Sequence, residues 1–186
     1  MLNRLKNMFF NKGKNTGYKC AECGEYHDNW PALVYNAPVY YSQLSAEDKE
    51  RIASLDRDFC VIEHSDQIDR FIRVVLFQKV VASCEDLHYG LWVSLSEKSF
   101  LDYKAHYDVE DYEACYFGWI SNDLEGGSDT LSIPVDVMYK GGSNRPEVIP
   151  HGDYSHPFVE EYYNGISIEE AQKRVINVLK GCNSKA

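Results

Sequence analysis

Two thiols three positions apart, Cys20 and Cys23, are followed by Gly24 and then by an imidazole at His27 in the stretch "CAECGEYHD". Zinc takes thiolate and imidazole ligands in tetrahedral geometry, and a CxxC turn presents two sulfurs to one ion while the glycine permits the backbone twist. His27 is close enough in sequence to serve as a third ligand. The fourth candidate is Cys60, at the start of a predicted strand, where the alternative is a small buried hydrophobe. Cys182, just past the last predicted helix, is a poorer candidate on a fraying end. The chain has no second CxxC, the partner that two-pair zinc sites supply. A thioredoxin-type redox pair needs a strand before the motif and a helix after it, and Pro31 with the loop-like "GEYHDNWP" withholds that helix. Structural zinc therefore ranks above redox chemistry.

A second constellation is "HGDYSHPFVEE", where His151, Asp153 and His156 precede Glu160 and Glu161. Such a set can bind a metal or place a base beside an acid. Its spacing matches no ligand pattern, and a solvated loop turning at Gly152 and Pro157 is the simpler account. Arg73 interrupts an apolar run and Arg145 precedes Pro146; either guanidinium can clamp a carboxylate or phosphate, or pair with an acid of its own fold. Trp92 and Trp119 can wall a pocket or pack in the core. Arg73, Trp92, Trp119, Arg145, His156 and Glu160 are thus the candidate ligand-binding residues. GxSxG, HExxH, GxGxxG, Walker and calcium-loop motifs are missing from the sequence, so no familiar hydrolase, kinase or dinucleotide enzyme is supported and no catalytic residue is assigned.

The elements that must position these residues follow from periodicity. Pro31 and Pro38 predict that "ALVYNAPVYYSQL" runs extended. Ser45 caps a helix over "AEDKERIASL". From "FCVIE" onward the period is two: Ile72, Val74, Leu76 and Val80 share one face of "FIRVVLFQKV", which suits a strand covered on both sides. "HYGLWVSLS", "ACYFGWIS" and "TLSIPVDVMY" read as further strands, the last at an edge or bulged because of Pro134. Between them "SEKSFLDYKAHY" has a serine cap and a stripe of Phe100, Tyr103 and Tyr107, a second helix. The two "GGS" steps at Gly126 and Gly141 predict turns. The last helix, "SIEEAQKRVINVLKG", has Ser167 as cap, Glu170 three residues later, Gly181 as stop, and a buried stripe of Ile168, Ala171, Val175, Val178 and Leu179. These elements predict an α+β domain, an antiparallel sheet flanked by a few helices, with a knuckle-like N-terminal segment. The expected organisation is a basic leader over 1–17, one domain over 18–182 and a tail over 183–186.

Composition narrows the partners. The 186 residues suffice for one ordinary core without a disulfide framework, and 14 Tyr, 8 Phe and 3 Trp are too many aromatics for a disordered chain. Residues 1–17 carry four bases and no acid, so removing them from the net charge of −10 leaves the body at −14. An acidic body repels phosphate backbones, which disfavours nucleic acid and accommodates a basic protein partner. The longest apolar run of the leader, Met8 to Phe10, is too short for a signal core, and nothing approaches a membrane span. Six cysteines scattered through such a chain predict reduced thiols in the cytoplasm.

From about Tyr18 to Leu179 the sequence resembles the bacterial domain of unknown function 2199 family. The matching pieces, in order, are "CAECGEYHD", "LDRDFCVIE", "FIRVVLF", "LWVSLSEKSF", "YFGWISNDL", "DTLSIPVDV", "RPEVI" and "HPFVEEYYNGIS". The resemblance implies no reaction, since the family's activity is unknown. It does imply that Cys20, Cys23 and His27 form a hallmark knuckle, and it sets Cys60 in a matching "DxC" step. Val74 stands where the family tends to have glycine, and "EGGSDT" replaces a proline-bearing loop. The sequence thus points to a non-enzymatic interaction or ligand-binding module with a structural zinc ion. The alternatives are an enzyme or small-molecule binder with a pocket around His156, Glu160, Arg145 and Arg73, and an acidic inhibitor or immunity-type partner of a basic protein.

Overall fold

A computed structural model describes residues 30–124 and 129–178 in full, and the backbone of 18–19, 26–27 and 179–183. The basic leader, the Cys20–Glu25 segment and the first GGS step lie outside the described residues. The strands are β1 (Tyr18–Lys19), β2 (Tyr26–His27), β3 (Leu33–Val34), β4 (Ala53–Leu55), β5 (Phe59–Glu63), β6 (Ile68–Gln78), β7 (Leu87–Leu95), β8 (Ala114–Ile120), β9 (Pro134–Tyr139) and β10 (Glu147–Pro150). The helices are α1 (Val39–Gln43), α2 (Ala46–Ile52), α3 (Glu97–Ala105), α4 (Pro157–Asn164) and α5 (Ile168–Asn183).

β6 to β10 form an antiparallel meander that closes on itself, because β10 turns back alongside β6 and pairs with it in parallel, Glu147 opposite Val75. The result is a five-stranded barrel. Along β6 the period of two sends Ile72, Val74 and Leu76 into the barrel, where they meet Tyr89, Leu91 and Val93 of β7 and Val135, Val137 and Tyr139 of β9. Gly118 lets β8 approach its neighbours, since a Cβ there would stand 3.0 Å from the Ser94 carbonyl oxygen and 3.3 Å from Val137. Beyond the barrel the N-terminal half of β6 continues an antiparallel flap, β4–β5–β6, and β3 adds to β7 in parallel.

The helices cover what the barrel leaves open. α2 is capped by Ser45, whose Oγ accepts from the Asp48 amide, and with α1 it lies over a second apolar cluster of Cys60, Ile62, Phe71 and Trp92. β6 and β7 are therefore covered on both faces in this half. α3, capped by Ser96, turns Phe100 and Tyr103 inward, and the Tyr103 ring meets Tyr139 edge-on at 5.0 Å. Asp102 on α3 accepts both the Tyr112 and Tyr116 hydroxyls, at 2.6 and 2.7 Å, tying the helix to the segment that leads into β8.

Five expectations need correction. The helix over "AEDKERIASL" ends at Ile52, because Ala53–Leu55 pairs with β5 as β4. "ALVYNAPVYYSQL" is extended only at β3; Pro38 stands at the N-cap of α1, where a missing N–H costs nothing. Likewise Pro157 opens α4 rather than turning a loop. Pro134 begins β9, which is internal to the barrel between β8 and β10; the reversal before it is made at Ser132, with φ 62°. α5 continues through Gly181 to Asn183.

α5 also carries a residue that its apolar stripe conceals. Arg174 lies between Ala171 and Val175 at 1% exposure, bonded to Glu161 of α4, to Glu170 at 3.1 Å and to the Tyr89 hydroxyl at 3.3 Å. Burial works to raise the Glu170 carboxyl, but its bonds to Arg174 and Lys173 outweigh that and hold it below the ordinary carboxylate range. A carboxyl lowered in the folded state contributes stability above its unfolded pKa and loses it as pH falls through the folded one. Arg174→Ala should cost about 3 kcal/mol in chemical denaturation near neutral pH. The gap to wild type should narrow as the pH is lowered through the carboxylate range.

Candidate functional site

The sequence candidates separate into three places. The first is where β6 changes neighbours along one edge. Up to Ile72 that edge pairs with β5, and the Arg73 amide donates to the Asp58 carbonyl at 2.9 Å. Two residues later the Val75 amide donates to the Pro146 carbonyl, and β10 takes over. The strands entering from either side therefore bring Asp58 and Arg145 together beside Arg73. Asp58 is fixed by a tight turn in which the Asp56 carboxylate accepts the amides of Asp58 and Phe59, at 2.8 and 2.7 Å.

Side chains converge accordingly. Arg145 Nε donates to Asp58 Oδ1 at 2.7 Å, the Tyr107 hydroxyl donates to Oδ2 at 3.1 Å, and Arg57 Nε stands 4.0 Å from the same oxygen. Arg73 reaches the Tyr35 and Arg57 carbonyls at 3.3 and 3.4 Å, and its buried Nε has no partner among the described residues. Burial first, and then the nearby Arg145, lower the pKa of the Arg73 guanidinium. It lies 5.8 Å over the ring of Trp92, which is fully buried and donates its Nε1–H to the Tyr35 carbonyl at 3.0 Å. Trp92 is thus a backing for Arg73 in the core and not a pocket wall.

The second place is the outer surface of β8. Phe117 and Trp119 alternate outward there, 47% and 42% exposed, with their rings edge to face at 4.9 Å. Trp119 lines a hollow of about 250 Å³ with Tyr40, Ser94, Ile120, Ser121 and Ser132. Buried Asn122 ties the neighbouring segments together: Oδ1 accepts the Trp92 amide at 2.7 Å and Nδ2 donates to the Ala37 carbonyl at 2.9 Å, while the Ser121 carbonyl accepts the Val39 amide. α1 is thereby held across the strand ends, which puts the Tyr40 ring at the hollow. A second hollow, about 480 Å³, lies between α2 and the β5–β6 turn, with Asp48, Arg51, Glu63, His64 and Asp66 in its lining.

β10 separates Arg145 from the histidines. His151 bonds Asp136 at 3.1 Å and packs on Phe117. His156 accepts the Phe158 amide at Nδ1, 3.1 Å away, which caps α4, and donates Nε2–H to the Asp129 carbonyl at 2.8 Å, so both ring nitrogens are used within the fold. Glu160 is exposed in the first turn of α4 and Asp153 is exposed in the loop before it. The described contacts bring neither His156 nor Glu160 to the arginines, so the single pocket expected from the four does not form around them.

Of the metal candidates, only Cys60 has a described side chain; Cys20, Cys23 and the His27 ring lie outside the described residues. Cys60 is sealed with Ile62, Phe71 and Trp92, and burial pushes its thiol up to about 12. Among the described residues no three His, Cys, Asp or Glu gather as a metal site. Cys60 and Cys115 are free thiols and Cys84 is disulfide-bonded, a departure from the expectation of reduced thiols throughout.

Sequence reading missed Asp58, Asn122 and Arg174. Arg174 carried a signal, since it falls inside the apolar stripe four residues after Glu170. Asp58 sat in a quoted piece, "LDRDFC", with nothing local to mark its distant partner Arg145. His156→Ala should cost about 1 kcal/mol through loss of the cap, with His156→Asp restoring most of it, as read by thermal denaturation.

Among the described residues no helix is long and apolar enough to cross a membrane. No curated protein and no solved structure matches the chain. A family model does match, over residues 19–166, and on that extent the chain belongs to the family DUF2199, uncharacterised proteins conserved in bacteria.

Proposed function

We propose that this chain is a non-enzymatic interaction or ligand-binding module built on the barrel, with a structural zinc ion in its N-terminal knuckle. The observation that carries the binding role is the aromatic surface of β8. Two large rings left 40–50% exposed on adjacent outward positions are costly to leave in water, and one of them, Trp119, borders a hollow with serines in its lining. Barrel strands fix their spacing, so the surface is preformed.

Trp119→Ala should leave the fold intact, because the ring is 42% exposed and lies outside the barrel core, and should weaken binding of a purified partner or ligand about thirtyfold, the usual scale for an aromatic anchor. The measurement is calorimetric titration of wild type and variant with the same purified species. Equal affinity for both would remove β8 from the binding surface.

The zinc reading rests on residue chemistry and on the short ladder around the thiols. β1 and β2 pair antiparallel, Tyr18 opposite His27 and Lys19 opposite Tyr26, so the strands on either side of the thiols reverse direction. A CxxC in such a reversal suits two thiolate ligands, with the His27 imidazole as a third. Zinc there would fasten the knuckle, and its binding energy would become folding energy. Elemental analysis of tag-free protein should find one zinc per chain. Cys20→Ser should lose it together with several kcal/mol of stability, and Cys60→Ala should keep it, as a core thiol would. Metal-free wild type that melts like the untreated protein would end this reading.

A further inference from the structure

Where β6 changes neighbours, three guanidinium groups surround one carboxylate. Asp58 gives one oxygen to Arg145 at 2.7 Å and shares the other between the Tyr107 hydroxyl and Arg57. Arg73 has only carbonyl oxygens, at 3.3 and 3.4 Å, and its buried Nε is unmatched among the described residues. The chain carries 29 acids against 19 bases, yet here Asp58 is the one carboxylate that pairs with Arg57 and Arg145, and the Asp56 carboxylate in the same turn is spent on the Asp58 and Phe59 amides. Like charges held close repel, and burial of Arg73 sharpens the cost.

Topology is what gathers the three. Arg57 and Asp58 arrive on the β4–β5 turn, Arg145 on the approach to β10, and Arg73 stands on the strand both must join. Arg73 is braced from behind by the Trp92 ring and the Tyr35 carbonyl. Arg57 reaches solvent with 84% of its side chain exposed, and Arg145 with 30%. The cluster is thus open on one side and rigid on the other.

Guanidinium forks match the oxygens of a tetrahedral oxyanion, and three of them here have one paired carboxylate between them. A ligand carboxylate would bring one negative charge, as Asp58 already does.

We propose that Arg57, Arg73 and Arg145 form a binding site for a phosphoryl group, as free phosphate or a phosphomonoester, where β5 and β10 part along β6. Asp58 and Tyr107 orient Arg145 for it. This site shares no residue with the β8 surface and stands or falls independently of it.

The test is isothermal titration of the full chain with inorganic phosphate and with glycerol 3-phosphate, at ionic strength held constant with sodium chloride. Saturable binding of at least one is expected. It should weaken about tenfold or more in Arg145→Gln, the scale of one charge-assisted hydrogen bond, and by a smaller factor in Arg57→Gln. Preference for the ester identifies a phosphomonoester ligand, and equal or better binding of phosphate identifies the free ion. Should Arg145→Gln fail to fold, Arg57→Gln decides, since its exposed side chain supports nothing and its melting temperature should match wild type. Heats no larger than those of sodium chloride, or affinity unchanged in the variants that fold, would overturn the proposal.

Discussion

The architecture depends on one strand serving two sheets. β6 is 11 residues long, more than either partner on its outer edge can cover, so β5 takes its first half and β10 its second. Five strands cannot close into a ring with antiparallel pairs alone, because an odd number forces one parallel step. That step is the short contact between Glu147 and Val75. It completes the ring of hydrogen bonds and removes two open edges at once.

Chemistry gathers where that constraint leaves a seam. At the change the Arg73 and Val75 amides find their carbonyls on two different segments, at Asp58 and Pro146, and the polar side chains entering from both sides meet there. Arg73, Asp58 and Arg145 are far apart in sequence and share no motif, yet backbone pairing alone brings them together. The aromatic surface of β8 has a different origin: it is the outward set of an alternating strand that no helix among the described residues covers. Position in the barrel, and not residue type, decides that Trp92 is sealed while Trp119 is open.

The sequence was most legible where structure is local. The alternation in β6 and β7 and the serine caps before α2, α3 and α5 depend on neighbours within a few residues, and each predicted element is present. Prolines misled in one consistent direction: Pro38 and Pro157 were read as breaks, although a helix can begin at proline because its first N–H needs no partner. Barrel closure was not legible, since β10 has four residues and its alternation fits any neighbour. Of the six ligand-binding candidates, Arg73 and Arg145 meet over Trp92, whereas Trp119, His156 and Glu160 lie elsewhere. Spacing along the chain carries no information on which strands will adjoin.

The parallel contact also orders the folding of the chain. Its two residues, Val75 and Glu147, are separated by most of the barrel, whereas β6–β7, β7–β8 and β8–β9 join strands consecutive in sequence. Loop entropy therefore favours building the meander first and leaves closure for last. Until then the outer edge of β6 is bare in its second half and Arg73 has the Arg57–Asp58 turn beside it without Arg145. The arginine seam is a late product of folding, complete only when the ring is.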